Sequence, residues 1–477
     1  MKLKRSKIQL KADHKRVIVN FLNLGIVTTS ERITKLIQKV LTLPKERAKQ
    51  VLKDIKKEFA SRHSNFDFFL QQHFKQIEAA VPNGVTLTKT QKQLLGAFFT
   101  KEYSIQGAAL FNPSIIEHPN QADLKKGEKR FLYTLRSVGE GHISSIEFRS
   151  GVVNRVGAIQ LEAVSPHATV CTKDLTKKYQ LATIKQRTNI LPSFNAKILE
   201  ELANIFTIDD YYQVKKSGAF LKYDAETQSV LDNYLDTNYD IVALPHTTLS
   251  ERVIFPNAKK EAKGMEDVRM VAFKEGDKLT YIGTYTAYDG HSISPQLLIT
   301  DDFIHFQIRT MYGAAVNDKG MALFPEKING QYVMLGRQGG ENITLMYSDD
   351  LYSWQEYETL LEPEDDWGLI QLGNCGSPIK TKAGWLVMTH AVGALRKYVI
   401  GAILLDLKNP SKIIKKLKTP LIAPNAIERE GYVPNVVYSC GSMIHKGILL
   451  IPYAMSDAAT TFATVKVSEL LAEMEVD

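Results

Sequence analysis

The sequence predicts a mainly β protein in which a β-propeller is preceded by an α-helical segment. Apolar residues recur at helical spacing within residues 1–103, whereas from residue 104 onward short apolar runs are broken by Gly, Asp and Asn. A turn motif also recurs in this second part. At 477 residues, the chain exceeds one ordinary compact domain. We therefore expect a helical N-terminal extension at 1–103 and a propeller domain at 104–477.

Four short amphipathic helices are predicted in the N-terminal extension. Ser30 is a candidate N-cap for the first helix, whose apolar positions fall between residues 33 and 41. The second helix begins near Pro44, the third covers roughly Asp67–Val81 and the fourth Lys89–Phe99. Such a series can pack on the main domain or mediate homo-oligomer formation, and the sequence leaves both open.

The propeller prediction rests on a repeated turn. Ile299–Phe306 and Tyr347–Trp354 share the pattern Ser/Thr-Asp-Asp-apolar-x-x-aromatic, and each lies between two strand-like runs. An Asp pair can cap a tight turn, and the aromatic residue then anchors the next strand. Repeated sheet-and-turn units of this kind are typical of propellers. Two copies are also compatible with a β-sandwich.

Composition excludes several classes of protein. Cys171, Cys375 and Cys440 are widely separated and form no CxxC pair, so we expect neither a metal site nor a disulfide framework. The basic N-terminal run is followed by no apolar signal core, and no apolar stretch is long enough for a membrane span. The basic runs lack interleaved aromatic residues, which argues against a nucleic-acid partner. The cysteine usage and the missing signal core predict a cytoplasmic protein. No nucleotide-binding or metalloprotease motif occurs, so we expect no cofactor.

The strongest candidate for chemistry is the segment Gly264–Met270. It places Glu266, Asp267 and Arg269 at a turn leading into a strand. Side chains alternate along an extended segment, which predicts Asp267 and Arg269 on one face and Glu266 on the other. A carboxylic acid beside an arginine can donate a proton to a leaving oxygen. A surface ion pair in a turn explains the same residues equally well.

Further polar groups lie at or near strand ends. Glu140–Arg149 contains His142 within a run that needs many hydrogen-bond partners, which a sugar-binding wall or a structural network would supply. His390 follows a glycine-containing segment, and Asp457 ends an apolar strand where it could hold sugar hydroxyls. Lys319 and Glu326 flank another strand. Ordinary turn chemistry is the competing interpretation for these residues.

Together these segments resemble glycoside hydrolase family 130, the mannoside phosphorylases and related β-mannosidases. The matching pieces occur in the family's order over about residues 105–465: Phe111–Ser114, Leu135–Arg136, Glu266–Arg269, Thr286–Asp289, Ala322–Ile328, Gly376–Pro378, Thr389–His390, and Tyr453 with Asp457. The helical segment is similar to the N-terminal extension of a long branch of the family. The resemblance implies a five-bladed propeller with a central pocket.

The resemblance also implies an inverting reaction on a β-mannoside, with Asp267 as the general acid whose proton passes through a hydroxyl of the bound mannose. The expected substrate is a small β-mannoside or an oligosaccharide. The candidate substrate-binding residues are Asn112, Arg136, His142, Arg269, Tyr288, Asp289 and Asp457.

The nucleophile separates two kinds of enzyme. A phosphorylase would use inorganic phosphate and release α-mannose 1-phosphate, with Lys319, Arg337 and His390 as the candidate phosphate-binding residues, and Arg396 is a further cation available for an anion site. The family's His-Lys pair is Asp318-Lys319 here, and no arginine occurs in His291–Leu298, where the family has such residues.

An inverting hydrolase is the alternative. It would need a second carboxylate as base, for which Glu326, Asp365 and Asp366 are candidates. A non-catalytic carbohydrate-binding propeller is a third possibility, because fold does not fix function.

Overall fold

The structure, a computed structural model, describes residues 1–23, 31–188 and 194–476. The candidate N-cap Ser30 lies outside these residues. The fold is mainly β, with strands arranged in successive antiparallel groups along the chain. The α-helices of the described residues are α1 (Glu31–Leu41), α2 (Lys45–Phe59), α3 (Phe66–Ile77), α4 (Lys89–Phe98), α5 (Leu181–Thr188), α6 (Ile208–Lys216), α7 (Ala225–Thr237) and α8 (Val467–Glu473).

Helices α1–α4 occupy the places where apolar spacing predicts helices. They bury one apolar face each around Ile37, Leu70 and Leu94, which are at most 1% exposed. A capping box starts α4, since the Thr88 hydroxyl accepts from Gln91 N at 3.2 Å and the Gln91 side chain accepts from Thr88 N at 3.0 Å. Strands Val17–Phe21 and Thr100–Ser104 pair with each other at the two ends of this helical segment.

The largest sheet joins two antiparallel groups. Gly264 pairs with Ser144 and connects a group from residues 109–161 to one from residues 264–310. The strands of this sheet are Ala109–Glu117, Lys129–Val138, Ser144–Val153, Ile159–Leu161, Thr169–Val170, Thr172–Lys173, Asp240–Val242, Arg252–Ile254, Gly264–Glu275, Lys278–Tyr288, Ile293–Thr300 and His305–Thr310.

Two further sheets follow in chain order. The first contains Ala322–Leu323, Tyr332–Gly336, Ile343–Ser348 and Glu358–Leu361. The second contains Gln371–Asn374, Ile379–Lys380, Trp385–Gly393, Lys397–Leu405, Ile413–Lys416 and Glu475–Val476. Buried apolar side chains such as Phe324 and Trp385 pack between these two sheets.

The last sheet combines both ends of the chain. Its strands are Lys4–Arg5, Leu10–Lys11, Val437–Tyr438, Met443–His445, Ile448–Met455 and Ala459–Lys466. Lys4 pairs with Thr464 and Leu10 with Thr460. The first residues of the predicted helical extension are therefore strands of this sheet, which hydropathy spacing alone did not reveal.

The repeated Asp-Asp turn works as the sequence suggests. Asp302 Oδ1 accepts from the backbone N–H groups of Ile304 and His305, at 2.7 and 2.8 Å. In the second copy, Asp350 Oδ1 accepts from Tyr352 N at 3.1 Å. The aromatic residue that ends each motif, Phe306 or Trp354, is buried.

A second helical unit interrupts the strands between residues 179 and 237. Helices α5–α7 and the short strand pair Tyr179–Gln180 and Ile205–Phe206 enclose a small apolar core around Phe220 and Leu231. The Arg187–Asp350 ion pair, at 2.6 Å, fastens this unit to the second Asp-Asp turn. Within the described part of the chain, no helix combines the length and apolarity needed to cross a bilayer.

Candidate active site

A polar cavity of about 350 Å³ is lined by strand ends and loops drawn from the whole range between residues 112 and 457. Nine of the candidate site residues named from the sequence line it: Asn112, Arg136, Asp267, Arg269, Lys319, Arg337, His390, Arg396 and Asp457. Residues more than 300 positions apart in the chain thus share one hollow. Such convergence of polar groups in a concave site is typical of a ligand-binding pocket.

Asp267 reaches the cavity because its strand is irregular. The pairing with the neighbouring strand shifts between Glu266 and Arg269, and Asp267 has φ 55°. At this bulge both acids turn toward Arg136, whose guanidinium donates to Glu266 at 2.5 Å and to Asp267 at 3.2 Å. The prediction that Glu266 faces away from Asp267 is therefore wrong, since it assumed regular alternation.

Left-handed backbone recurs at the cavity wall. Asn112, Asp267 and Asp457 have φ values of 50°, 55° and 50°, and Arg396 has 54°. For residues other than glycine this conformation costs about 1–3 kcal/mol each, and it clusters at functional sites. Here it aims short polar side chains into the hollow at the ends of otherwise regular strands.

Arg136 is the organising cation of one side of the cavity. Its Nε donates to Ser144 Oγ at 2.8 Å, and its guanidinium lies 5.1 Å from the ring centre of Phe111. Asn112 Nδ2 donates to Asp267 Oδ1 at 2.6 Å. Asn112 Oδ1 is buried and, among the described residues, has no hydrogen-bond partner. An unsatisfied acceptor in a polar pocket suits a ligand hydroxyl.

The carboxylates of the cavity differ in protonation. Burial works against ionisation of Asp267, but Arg136, Arg269 and Lys319 outweigh it and lower its pKa. Burial raises the pKa of Asp457 to about 6, and the charge of Asp267 adds to the shift. Burial and the adjacent Asp267 also raise the pKa of Glu266 against the pull of Arg136. Asp267 is thus ionised at neutral pH, while its neighbours hold protons more readily.

One part of the cavity lining is cationic. Lys319, Arg337 and Arg396 line it, and the carboxylate beside them, Asp318, lies 3.7 Å from Arg337 Nη2. Arg337 Nε is buried without a hydrogen-bond partner among the described residues. Because an unpaired buried donor on a charged group is costly, this side is suited to an anion.

His390 presents an acceptor rather than a donor. Burial, together with Arg337 and Arg269, lowers its pKa far below the usual value, so the ring is neutral. Its Nδ1 lies 3.2 Å from the Asn374 carbonyl, which can only accept, and Nε2 is therefore the unprotonated nitrogen. Nε2 is buried without a partner among the described residues. It suits a hydroxyl better than the ionised phosphate oxygen expected from sequence.

Comparison with known proteins places this site in a family. Residues 213–476 match the profile of glycoside hydrolase family 130, described as beta-1,4-mannooligosaccharide phosphorylase. The chain belongs to this family. It is an enzyme of the glycoside phosphorylase and hydrolase class.

Individual family members align over large parts of their own length. The chain is 34% identical over 225 residues to the 1,2-beta-oligomannan phosphorylase of Thermoanaerobacter sp. (strain X514), covering 46% of this chain and 75% of that protein. It is 31% identical over 303 residues to the Beta-1,2-mannobiose phosphorylase of Listeria innocua, covering 60% and 83%. A solved structure of Beta-1,2-Mannobiose phosphorylase from Listeria innocua with beta-1,2-mannobiose aligns at 24% identity and TM-score 0.46, covering 77% of this chain and 92% of that one.

Three residues that the family resemblance suggested for substrate binding lie outside the cavity of this family-130 enzyme. His142 is exposed and stacks on Tyr432, with ring centres 6.0 Å apart. The Tyr288 hydroxyl donates to Gly290 O at 3.0 Å. Asp289 caps its turn by accepting from the backbone N–H groups of His291 and Ser292, which lowers its pKa. The contacts of Tyr288 and Asp289 lie within their own turn.

The candidate hydrolytic bases are also elsewhere. Glu326 forms an ion pair with Lys380 at the surface. Asp365 is half-buried and Asp366 exposed, and none of the three lines the cavity. Asp267 and Asp457 are the carboxylates that line it within the described residues.

Two residues missed in the sequence hold Arg269 in place. Arg269 Nη2 donates to the Tyr438 hydroxyl at 2.6 Å, and its Nε donates to Asn374 Oδ1 at 3.1 Å. Arg269 Nη1 then donates to the backbone carbonyl of Asp267 at 2.9 Å. Asn374 lies in the glycine-containing segment that precedes His390, and neither Asn374 nor Tyr438 was assigned a role from the sequence. Both support the bulge that exposes Asp267 to the cavity.

Proposed function

We propose that this enzyme is an inverting β-mannoside phosphorylase that transfers mannose to inorganic phosphate and releases α-mannose 1-phosphate. The observation that carries the proposal is a single cavity that combines Asp267 with sugar-binding groups and with the cations Lys319, Arg337 and Arg396. We infer that this cavity lies at the centre of a five-bladed propeller formed by residues 104–477 together with the strands of residues 4–11, and the successive antiparallel strand groups support this inference.

The sugar wall is formed by Asn112, Arg136 and Asp457. Asn112 offers a free acceptor, Arg136 offers donors from a fixed guanidinium, and Asp457 is a carboxylate whose pKa burial raises to about 6. Such groups pair with the hydroxyls of one hexose. The expected occupant is the mannose whose linkage is cleaved.

The phosphate wall is formed by Lys319, Arg337 and Arg396. An oxygen of phosphate attacks the anomeric carbon from this side, and the bond to the leaving sugar oxygen breaks on the other. The leaving oxygen takes a proton that originates at Asp267, directly or through a hydroxyl of the bound mannose. Attack opposite to the leaving group inverts the β linkage to an α-phosphate. The three cations stabilise the phosphate charge throughout.

Asp267 must gain a proton before it can act. Without an anion its pKa is low, and Lys319 contributes to that shift. A phosphate held by Lys319 offsets this cation and adds negative charge nearby, both of which raise the pKa of Asp267. Phosphate binding and protonation of the acid are therefore coupled, so that the nucleophile itself prepares the proton donor.

The hydrolytic alternative has less support, because Glu326, Asp365 and Asp366 lie outside the cavity. A hydrolase would have to use Asp457 as its base. We also infer that the enzyme acts in the cytoplasm, where a sugar phosphate is retained.

The deciding experiment compares β-1,2- and β-1,4-linked mannooligosaccharides with and without phosphate, and follows products by ³¹P NMR and free-mannose assay. A phosphorylase gives α-mannose 1-phosphate that requires phosphate. Release of free mannose at an equal rate without phosphate would refute the proposal.

The Asp267→Asn variant should lose about 10²- to 10⁴-fold in kcat, the range typical of general acid catalysis. The matched control is Asp366→Asn, an exposed aspartate outside the cavity, which should retain wild-type rates. An Asp267→Asn enzyme as active as this control would remove the general-acid assignment.

A further inference from the structure

An exposed aromatic ring lies on the loop 424–435, which is followed directly by the cavity-lining residues Val436 and Tyr438. Tyr432 is 67% exposed, although it is held in a defined position by stacking on His142, at 6.0 Å between ring centres and 29° between planes. A single exposed tyrosine is common on protein surfaces. A tyrosine that is already stacked on a second ring loses less side-chain entropy when a ligand binds. We call this pair the Tyr432 platform.

The platform is tied to the two strands that carry the sugar-binding residues. Val433 N, next to Tyr432, donates to Ser456 O at 3.0 Å, and Ser456 precedes Asp457. On the other side, His142 lies two residues before Ser144, whose hydroxyl accepts from Arg136. The hydrogen bond to Ser456 and the short segment from His142 to Ser144 keep the platform near Asp457 and Arg136, which both line the cavity.

The loop of His142 is shaped to keep this ring in place. His142 has φ 58° and Gly141 has φ 69°, so two successive residues adopt left-handed backbone. A Cβ built on Gly141 would meet nothing within 4 Å, which leaves open space next to the platform. The left-handed backbone at His142 is strained, yet the ring that it positions faces solvent and fills no core. Such strain is typical of functional sites.

The charges around the platform are neutralised. Glu140 forms an ion pair with Lys101 at 2.8 Å, and Arg429 lies 4.0 Å from Glu430. The surface next to the ring therefore favours an uncharged ligand over an anion or a basic peptide. A sugar ring has an apolar face that can lie on an aromatic plane and hydroxyls that remain in water.

We propose that the Tyr432 platform is an outer subsite that binds sugar units of an oligomannoside beyond the pair flanking the cleaved bond. The proposal rests on the function proposed above. This subsite would make the enzyme prefer oligosaccharides to the disaccharide. Tyr432 would set this preference, and His142 would position the Tyr432 ring.

The test measures binding separately from turnover. Mannobiose, mannotriose and mannotetraose of both linkages are titrated calorimetrically into Asp267→Asn enzyme with and without Tyr432→Ala. Loss of one stacking contact should weaken tetraose binding about five- to tenfold and mannobiose binding less than about twofold. Tyr432→Phe should keep the tetraose affinity because the ring remains.

Tyr212→Ala is the matched control, since Tyr212 is 56% exposed on the inserted helical unit. An equal loss for mannobiose and mannotetraose would place Tyr432 at the cleaved pair and overturn the outer subsite, as would no loss for either sugar. A wild-type enzyme that binds longer chains more tightly but forms no mannose 1-phosphate would leave the subsite in place and remove the phosphorylase proposal.

Discussion

Replacing Arg136 by methionine tests the electrostatic account of the site most directly. Arg136 compensates two buried acids, Glu266 and Asp267, whose side chains are each 14% exposed. Methionine keeps much of the volume but leaves both carboxylates without their main counter-charge. Breaking a buried ion pair in this way costs about 3–5 kcal/mol of folding stability at neutral pH.

The sign of the pH dependence follows from the same contacts. In the wild type, cations hold the pKa of Asp267 low, so its ionised form contributes stability that is lost as pH falls through the folded-state pKa. Without Arg136 the pKa values of both acids rise, so each acid destabilises the fold increasingly as pH rises from its unfolded-state pKa to its raised folded-state pKa. The deficit of Arg136→Met should therefore be largest near about pH 8 and shrink toward about pH 5.

The assay is urea unfolding of both proteins at several pH values, with Arg47→Met as the matched control on the exposed face of α2. The control should match the wild type throughout. An Arg136→Met deficit that is absent at about pH 8, or that grows on acidification, would refute the assigned role of Arg136.

Two further substitutions probe the cation wall and the histidine. Arg337→Ala should raise the KM for phosphate about tenfold or more, because a charge-assisted hydrogen bond is worth about 1.5–3 kcal/mol. The surface variant Lys382→Ala is the control and should leave this KM unchanged. Initial rates at varied phosphate concentration measure both values, and an unchanged KM in Arg337→Ala would exclude Arg337 from the anion site. Gly373→Ala should lower the free energy of unfolding by about 1–3 kcal/mol and weaken mannoside binding, because the new Cβ would lie 2.2 Å from His390 Cε1 and displace the ring. Urea unfolding measures the stability and titration calorimetry the affinity. A variant equal to the wild type in both would show that the glycine is not needed to seat the His390 ring.

Local signals in the sequence located much of the architecture and of the cavity. Helical spacing placed α1–α4, and the Asp-Asp turns follow from side-chain chemistry confined to a few neighbouring residues. The family motifs include Asn112, Arg136, Asp267, Arg269, His390 and Asp457, all of which line the cavity. Each of these features is determined mainly by its own short stretch of chain.

Features that depend on distant partners were not predictable in the same way. The assumption of regular alternation placed Glu266 and Asp267 on opposite faces of the strand. The bulge that brings them together depends on the neighbouring strand and on Arg136, which the local sequence does not reveal. Tyr438 was missed because its role is defined by Arg269, far away in sequence. Helices α5–α7 were missed because they are short and their small core contains several tyrosines, so the sequence shows no clear apolar stripe at helical spacing.

The strands at the start of the chain help to hold the loop that carries Tyr432. Arg5, which pairs with Ala463, also donates to Ala423 O at 2.8 Å and lies 3.4 Å from Glu428. Glu428 belongs to the loop that carries Tyr432 and accepts from the Tyr453 hydroxyl at 2.5 Å. Deleting residues 1–11 would therefore leave one edge of the strand Ala459–Lys466 unpaired and remove the contacts that hold this loop, which would weaken the binding of longer sugar chains at Tyr432.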